Sequence, residues 1–562
     1  MFIPTIYSIA ADPIPRFRWV ALQLAELEKC SSTNEITERL AELPKGLDEI
    51  YSRTLKKIDE KHRADTKTFL QWLAFSKRPM KIAEIAETIT VDFASEDDPV
   101  FRSTKRYFDP RDVLVRCSSL ISESDGVYCW LNPAFQCLLT VKIGTIKLSH
   151  LSVKEYLISE RIEKIFSISE RASHSKIAEV SLAYLLQFHS FEPLTKAMLD
   201  SSPLALYAAE HWVNHAKYGG MGSVVLKLIL QLFTSETAPL TNWIRMWNID
   251  IGSSWHRKDF GMNKDRVLSP LYYASLAGME DVSYVLLERG GNANAEGGYY
   301  GNALQAASYG GHEPIVKLLL ENGADVNAKG GEYRNALQAA SYSGHEPIVK
   351  LLLENGADVN AEGGEYGNAL QVASYSGHEP IVKQLLENGA DVNAEGGEYR
   401  NALQAASYSG HEPIVKLLLE NGVDVNGKEG DYGSALHAAL YQRHEPIVKL
   451  LLENGADVND TKGGLGKYEN VLQVASYQGD EPIVKLLLEN GADVNAKGGT
   501  YGNALQAASY TGRESIVKLL LENGADVNAE GGEYGNALQA ALYQGHELIT
   551  KLLLENGADV NA

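Results

Sequence analysis

One phrase of 33 residues, repeated almost verbatim, fills residues 269–562. Its register position falls at Ser269, Asn302, Asn335, Asn368, Asn401, Ser434, Asn470, Asn503 and Asn536, with one longer step of 36 residues after Ser434. A fixed period of this length is the mark of a solenoid. One unit cannot bury its own apolar face, so units stack and share a continuous core. That constraint sets the architecture of half the chain, and it favours an extended binding surface over a catalytic pocket.

At 562 residues the chain is too long for a single core, so two or three units are expected. Its net charge of −21 is unevenly placed. Residues 269–562 hold 18 Lys+Arg against 40 Asp+Glu, or −22; residues 1–268 hold 34 against 33, or +1. An acidic array disfavours phosphate backbones and anionic lipid, so neither nucleic acid nor a membrane is an expected partner. Cys30, Cys117, Cys129 and Cys137 all precede the array without metal or redox spacing and read as reduced, buried thiols. The apolar run Val224–Phe233 is too short to span a bilayer, and Met1–Ala11 lacks the basic stretch of a secretory signal. A cytoplasmic protein is expected, in which the sequon Asn459-Asp460-Thr461 carries no glycan.

The unit Asn302–Arg334 shows how the phrase folds. Asn302 is an N-cap for a short, alanine-rich helix from Ala303 to Tyr309. Gly310-Gly311 ends that helix, one of the two taking the left-handed position. Pro314 is placed at the first position of a second helix, with Ile315, Val316, Leu318, Leu319 and Leu320 as its buried face. Gly323 caps that helix, and Ala324–Arg334 is too polar and glycine-rich to be anything but an extended finger. The unit closely resembles the ankyrin repeat, on Gly311-His312, Ile315-Val316, Leu318-Leu319-Leu320 and Gly323 through Ala328. The family's Thr-Pro-Leu-His helix start is altered here to Asn302-Ala303-Leu304-Gln305, and Ser434-Ala435-Leu436-His437 comes nearer to it. The resemblance covers nine units, about half the chain.

In the ankyrin architecture first helices and fingers line a concave groove, so the resemblance implies that these positions face a protein partner. The first helices end in Tyr309, Tyr342, Tyr375, Tyr408, Tyr441, Tyr477, Tyr510 and Tyr543. The fingers carry Tyr300, Tyr333, Tyr366, Tyr399, Tyr432, Tyr468, Tyr501 and Tyr534. At roughly 10 Å per packed helix each stripe runs on the order of 70 Å. Tyrosine offers rigid, amphipathic contact area at low entropic cost. Near-identical units also repeat any purely structural feature, so bracing of one finger on the next remains the rival reading. Finger positions that vary between units suit partner choice: Gly301, Arg334, Gly367, Arg400, Glu469 and the insertion at Asp460–Lys467.

Two motifs point nowhere. Gly463–Tyr468 lacks the first Gly and final Ser or Thr of a phosphate loop. His312, His345, His378, His411 and His546 fall once per unit at the Gly-His turn, where a structural hydrogen bond is expected rather than a metal.

Before the array, amphipathic spacing predicts helices at Leu47–Asp59, Thr66–Ser76, Ile82–Thr88 and Arg111–Ile121, then a strand at Thr145–Ser149 and a helix at Val153–Ile158. Helices followed by a hairpin suggest a winged helix. Leu43–Tyr51, Leu70–Ala74, Cys117–Leu120 and His150–Leu157 resemble the winged-helix segment, of the GPI inositol-deacylase type, that follows the ATPase core in fungal NACHT receptor-like proteins. Phe17-Arg18-Trp19 and Gln23–Cys30 are similar to the end of the NACHT region, and Ala178–Leu186 and His211-Trp212 to the helical stretch after it. Val127–Val141 interrupts that pattern, and no phosphate loop occurs, so ATPase activity is not implied.

The fold class that follows is mainly α, a winged-helix and helical region leading into an ankyrin α-solenoid. The expected boundaries are a NACHT-type remnant at 1–42, the winged helix at 43–160, a helical region at 161–268 and nine repeats at 269–562. The expected function is non-enzymatic capture of a protein in the groove, without cofactor, metal or small-molecule substrate. A truncated receptor for non-self recognition is what the resemblance implies, and a plain scaffold or adaptor is the alternative.

Overall fold

The computed structural model describes Ser32, Glu35 and residues 46–93, 99–117, 120–124, 145–148, 151–251, 257–427, 433–460 and 470–561. Apart from Ser32 and Glu35, the remnant expected at 1–42 lies outside the described residues. So do Cys30, Cys129, Cys137, Val127–Val141, Tyr432, Glu469, Tyr468 and the Gly463–Tyr468 motif. The chain divides into two compact units, Met1–Pro270 and Leu271–Ala562.

In the first unit the amphipathic spacing becomes helices Leu47–Lys56 and Arg63–Phe75, which bury Tyr51, Leu55, Phe69, Leu70, Trp72 and Phe75. A short strand β1 (Met80–Lys81) feeds helix Ile82–Glu87, where the Glu84 carboxylate accepts from Lys81 N at 2.7 Å and from both Arg78 amines at 2.9 and 2.7 Å. Strands β2 (Val91–Asp92) and β3 (Val100–Phe101) pair with each other; two-residue strands carry no readable period, and they were not expected. Helix Asp112–Cys117 then leads to β4 (Ile121–Ser124) and β5 (Thr145–Leu148). β5 lies between β1 and β4, antiparallel to both, with Met80 opposite Ile146 and Ile121 opposite Leu148. Burial pushes the Cys117 thiol up to about 12, which leaves it an inert core side chain.

After helix Leu151–Ile158, helices Glu170–Leu185 and Ala205–Gly219 pack so closely that a Cβ on Gly219 would sit 2.3 Å from Ser175 N. Trp212, Phe233 and Trp243 form the neighbouring core, with the two tryptophan rings 5.1 Å apart. A buried polar cluster crosses it. His174 Nδ1 is 2.7 Å from His215 Nδ1, and Tyr207 OH is 3.0 Å from both His215 Nε2 and Lys77 N. One of the two facing ring nitrogens must be unprotonated for such a contact. Burial, with Lys77 nearby, holds His215 down to about 3 and His211 to about 4.

The array runs, among the described residues, as nine helix pairs, from Pro270–Leu276 with Glu280–Glu288 to Ala537–Gln544 with Glu547–Glu555. Asn302 caps as its chemistry dictates, accepting from Gln305 N at 2.9 Å, and Asn335, Asn368, Asn401, Asn470, Asn503 and Asn536 do the same. Of the two glycines that follow, Gly311 takes the left-handed conformation (φ 73°). Pro314 is the second residue of the next helix, Glu313–Glu321, rather than its first. Ile315, Val316 and Leu319 are buried, but Leu318 and Leu320 are only half-buried, because an outer helix of nine residues shows its neighbours one stripe.

An asparagine in each finger ties the units together. Asn327 Nδ2 donates to Gly356 O at 3.0 Å, while its Oδ1 accepts from Asp358 N at 2.8 Å. The same two-way clamp recurs from Asn294 to Asn528, and it crosses the 36-residue step at Asn459.

Candidate interaction surface

Each tyrosine of the helix stripe is the last or second-to-last residue of its helix, and in most units a histidine of the next unit holds that helix end down. His345 Nε2 lies 3.0 Å from the carbonyl of Tyr309 in the preceding unit. A carbonyl only accepts, so the imidazole nitrogen is the donor. His378, His411, His444 and His546 repeat the contact on Tyr342, Tyr375, Tyr408 and Tyr510. Space as well as conformation favours glycine at Gly311, since a Cβ there would meet His345 Cε1 at 2.6 Å.

The fingers are pinned by a residue whose role sequence reasoning passed over. Gln338, buried, donates through Nε2 to the carbonyls of Ala361, Gly363 and Gly367 in the next finger, at 3.1, 3.3 and 3.0 Å. Gln305, Gln371, Gln473 and Gln506 make the equivalent bonds. The signal was visible: glutamine fills this slot in every unit from Asn302 onward except at His437.

With helix ends and fingers both fixed, the two tyrosine stripes interleave into one column. From Tyr300 the rings run through Tyr309, Tyr333, Tyr342, Tyr366, Tyr375 and Tyr399 to Tyr408, with successive centroids 4.4, 5.3, 4.8, 5.6, 5.4, 4.9 and 5.2 Å apart. A second run takes in Tyr477, Tyr501, Tyr510, Tyr534 and Tyr543 at 4.9, 5.3, 4.5 and 5.6 Å. These are the distances at which offset and tilted aromatic pairs attract. Tyr309, Tyr342, Tyr375, Tyr408, Tyr477 and Tyr510 are half-buried, as are Tyr333, Tyr366 and Tyr534. Tyr300, Tyr399 and Tyr501 are buried, while Tyr441 and Tyr543 are 43% and 73% exposed.

Burial raises the phenols of Tyr333, Tyr366 and Tyr501, with neighbouring tyrosines adding to the shift. A hydrogen bond with Tyr510 is the first cause that pushes Tyr534 up to about 12. The column is a strip of rings and hydroxyls, braced within itself and half open to solvent.

Arg334 and Arg400 stand where Gly301, Gly367, Gly502 and Gly535 stand in other units, and they adopt the same left-handed backbone, φ 67° and 64°. Arg334 is exposed. Arg400 is half-buried and pairs with Glu395 Oε2 at 2.7 Å. No trio of His, Cys, Asp or Glu among the described residues is arranged to hold a metal ion. No helix among them is long and apolar enough to cross a membrane.

A family model described as ankyrin repeats in three copies matches residues 248–330, 328–396, 370–462 and 468–562. The azaphilone pigments biosynthesis cluster protein L of Monascus ruber is 36% identical over 305 residues, which are 52% of this chain and 62% of that protein. The chain therefore spans under two thirds of that relative's length. The crystal structure of the human ASB11 ankyrin repeat domain is 28% identical and covers 40% of this chain and 99% of its own, with a TM-score of 0.36.

Proposed function

This chain belongs to the ankyrin-repeat family, and on that premise we propose that it acts by non-enzymatic recognition of a protein partner along the tyrosine column. The observation that carries the reading is the column itself. Eight of its nine half-buried rings are held by Gln or His clamps, so a large aromatic area is presented without further ordering cost. Buried Tyr399, Tyr300 and Tyr501 serve as the braces of this surface, and the half-buried helix tyrosines as its contacts. Arg334 and Arg400 set partner choice: a left-handed, non-glycine residue costs about 1 kcal/mol or more, and strain of that kind gathers at functional sites.

For the first unit we keep the NACHT-associated winged-helix reading, in a receptor-like protein for non-self recognition. The run helix, β1, helix, β2, β3, helix, β4, β5, with β5 central between β1 and β4, supports that reading. A scaffold or adaptor without a sensing role is the second reading, favoured by a relative named for a biosynthesis cluster. The test is capture of cellular partners by the full chain and by Tyr375→Ala/Tyr408→Ala, with circular dichroism to verify folding. Loss of specific partners by a folded variant supports the tyrosine surface; unchanged partners would remove it. Partners tied to immune signalling favour the receptor, and enzymes of one pathway the scaffold.

A further inference from the structure

We propose that the Asn-Gly pairs closing the outer helices are deamidation sites locked by the fold, each converting to aspartate or isoaspartate only when its unit opens. The array would thereby keep a covalent record of its own opening. Eight pairs stand in this slot, one per unit from Asn322-Gly323 to Asn556-Gly557, and only the first unit departs, with Arg289-Gly290. Glycine has no side chain to screen its amide nitrogen from the preceding asparagine. In the reaction that nitrogen gives up its proton and attacks the asparagine Cγ. A C–N bond closes a five-membered imide, and the side-chain amide takes a proton and leaves as ammonia. Water then opens the ring at either carbonyl, giving aspartate or isoaspartate. Water is the only reagent consumed.

Every one of these asparagines is exposed, and a Cβ on its glycine would meet nothing within 4 Å, so neither burial nor crowding protects the pair. Three restraints do. Asn322 has ψ 19°, and its seven counterparts have ψ 11–14°. At such a ψ the glycine nitrogen eclipses the asparagine's own backbone nitrogen, whereas the imide requires it to eclipse Cβ. The side-chain amide is held by Leu318 O, 2.8 Å from Asn322 Nδ2, and the attacking nitrogen by Leu320 O, 3.0 Å from Gly323 N. The last turn of the outer helix must unwind before all three yield together.

The same glycine is also gripped from the preceding unit, since its carbonyl accepts from the finger asparagine of the clamp. At seven sites that bond measures 2.8–3.1 Å, but Gly422 O lies 3.5 Å from Asn393 Nδ2. Val423 replaces the usual alanine there, and its amide stands 3.2 Å from Leu418 O, against 3.0 Å at the alanines. Asn421-Gly422 is therefore the loosest lock and should react first. Conversion then feeds back on the fold. Aspartate places a negative charge at the negative end of the helix and removes the donor to Leu417 O. Isoaspartate lengthens the backbone just before the glycine whose carbonyl Asn393 holds, so the clamp between units slips as well.

The experiment incubates the full chain in mildly alkaline buffer, with and without urea. Isoaspartate is counted with an isoaspartyl carboxyl methyltransferase and labelled S-adenosylmethionine, and each site is assigned by peptide fragmentation. The finger pair Asn426-Gly427 shares a tryptic peptide with Asn421 and is resolved the same way. In urea the eight sites should convert at similar rates. In buffer each should be slower by about a hundredfold or more, as local opening dictates, with Asn421 leading. Asn393→Ala removes both halves of the clamp, on Gly422 O and Asp424 N, and should speed Asn421 about tenfold while leaving Asn523, three units on, unchanged. Asn393→Asp keeps the acceptor for Asp424 N and should fall between; it carries the test if circular dichroism shows the alanine variant unfolded. Equal rates in buffer and urea, an unchanged Asn421 in the folded variants, or an equal rise at Asn523 would overturn the proposal.

Discussion

Replacing Gln338 by methionine keeps the length and bulk of the side chain and deletes its amide. Three carbonyls of the following finger, on Ala361, Gly363 and Gly367, then lose the glutamine donor, and Gly367 O keeps only its bond from Gly363 N. A single NH2 group has two hydrogens, so the three contacts count as two full bonds, one of them shared. At about 1 kcal/mol net per bond, the finger's attachment should weaken by about 2 kcal/mol. The upper limit of the usual range does not apply, because a detached finger hydrates its own carbonyls. Gly363 N donates to Gly367 O at 2.8 Å and reports the finger's closure. A loss of about 2 kcal/mol corresponds to roughly thirtyfold faster exchange of that amide. The equivalent amide of Gly498, which donates to Gly502 O at 2.7 Å in a finger held by Gln473 four units away, should keep its rate because coupling runs only between neighbours. Hydrogen-exchange mass spectrometry on the finger peptides measures both. A rise below about threefold at Gly363, or an equal rise at Gly498, would show that the glutamine is not what holds the finger.

Gly323→Val and Gly344→Ala separate conformation from space. Gly323 (φ 79°) has nothing within 4 Å of a Cβ, so its variant costs about 1–2 kcal/mol in backbone strain alone. At Gly344, with the same φ, a Cβ would also meet His378 Cε1 at 2.6 Å, so the smaller alanine should cost more in urea unfolding and free His378 from Tyr342 O. Arg334→Gly relieves a left-handed arginine but loosens the unfolded chain, for a net gain of up to about 1 kcal/mol; a clear loss would show that the side chain stabilises its finger. The first unit should be acid-labile. His215 and His211 titrate at about 3 and 4 when folded but near 6.5 when unfolded, so the unfolded chain binds more protons between those values and stability falls as pH drops through that window. The slope is up to about 1.4 kcal/mol per pH unit for each histidine. All seven tryptophans lie before the array, so their fluorescence follows this unit alone, and a melting temperature equal at pH 7 and pH 5 would contradict the assignment.

The array was legible because each of its signals is local and repeated. Asn302, Gly311 and Gly323 announce helix ends by their own backbone chemistry, and nine copies remove the ambiguity of any one. The slip of Pro314 by one residue and the half-exposure of Leu318 and Leu320 mark the limit of such reading, since neighbours set burial. The tyrosine positions could be counted from sequence, but their interleaving could not. Joining Tyr309 to Tyr333 depends on how far the finger folds back, which Gln305 decides across 29 residues. Before the array, long helices such as Arg63–Phe75 were visible by their period. The β2–β3 pairing and the His174–His215 contact were not, because they join short or distant segments with no pattern of their own.

Site-specific photocrosslinking addresses the central claim most directly. A benzophenone amino acid is placed at Tyr375 on the column or at exposed Lys383 on the outer helix of the same unit, and each full-length variant is irradiated with its captured partner. Recognition along the column predicts a covalent adduct from position 375 and none from position 383. An adduct from 383 alone would place the partner on the outer face and contradict the account.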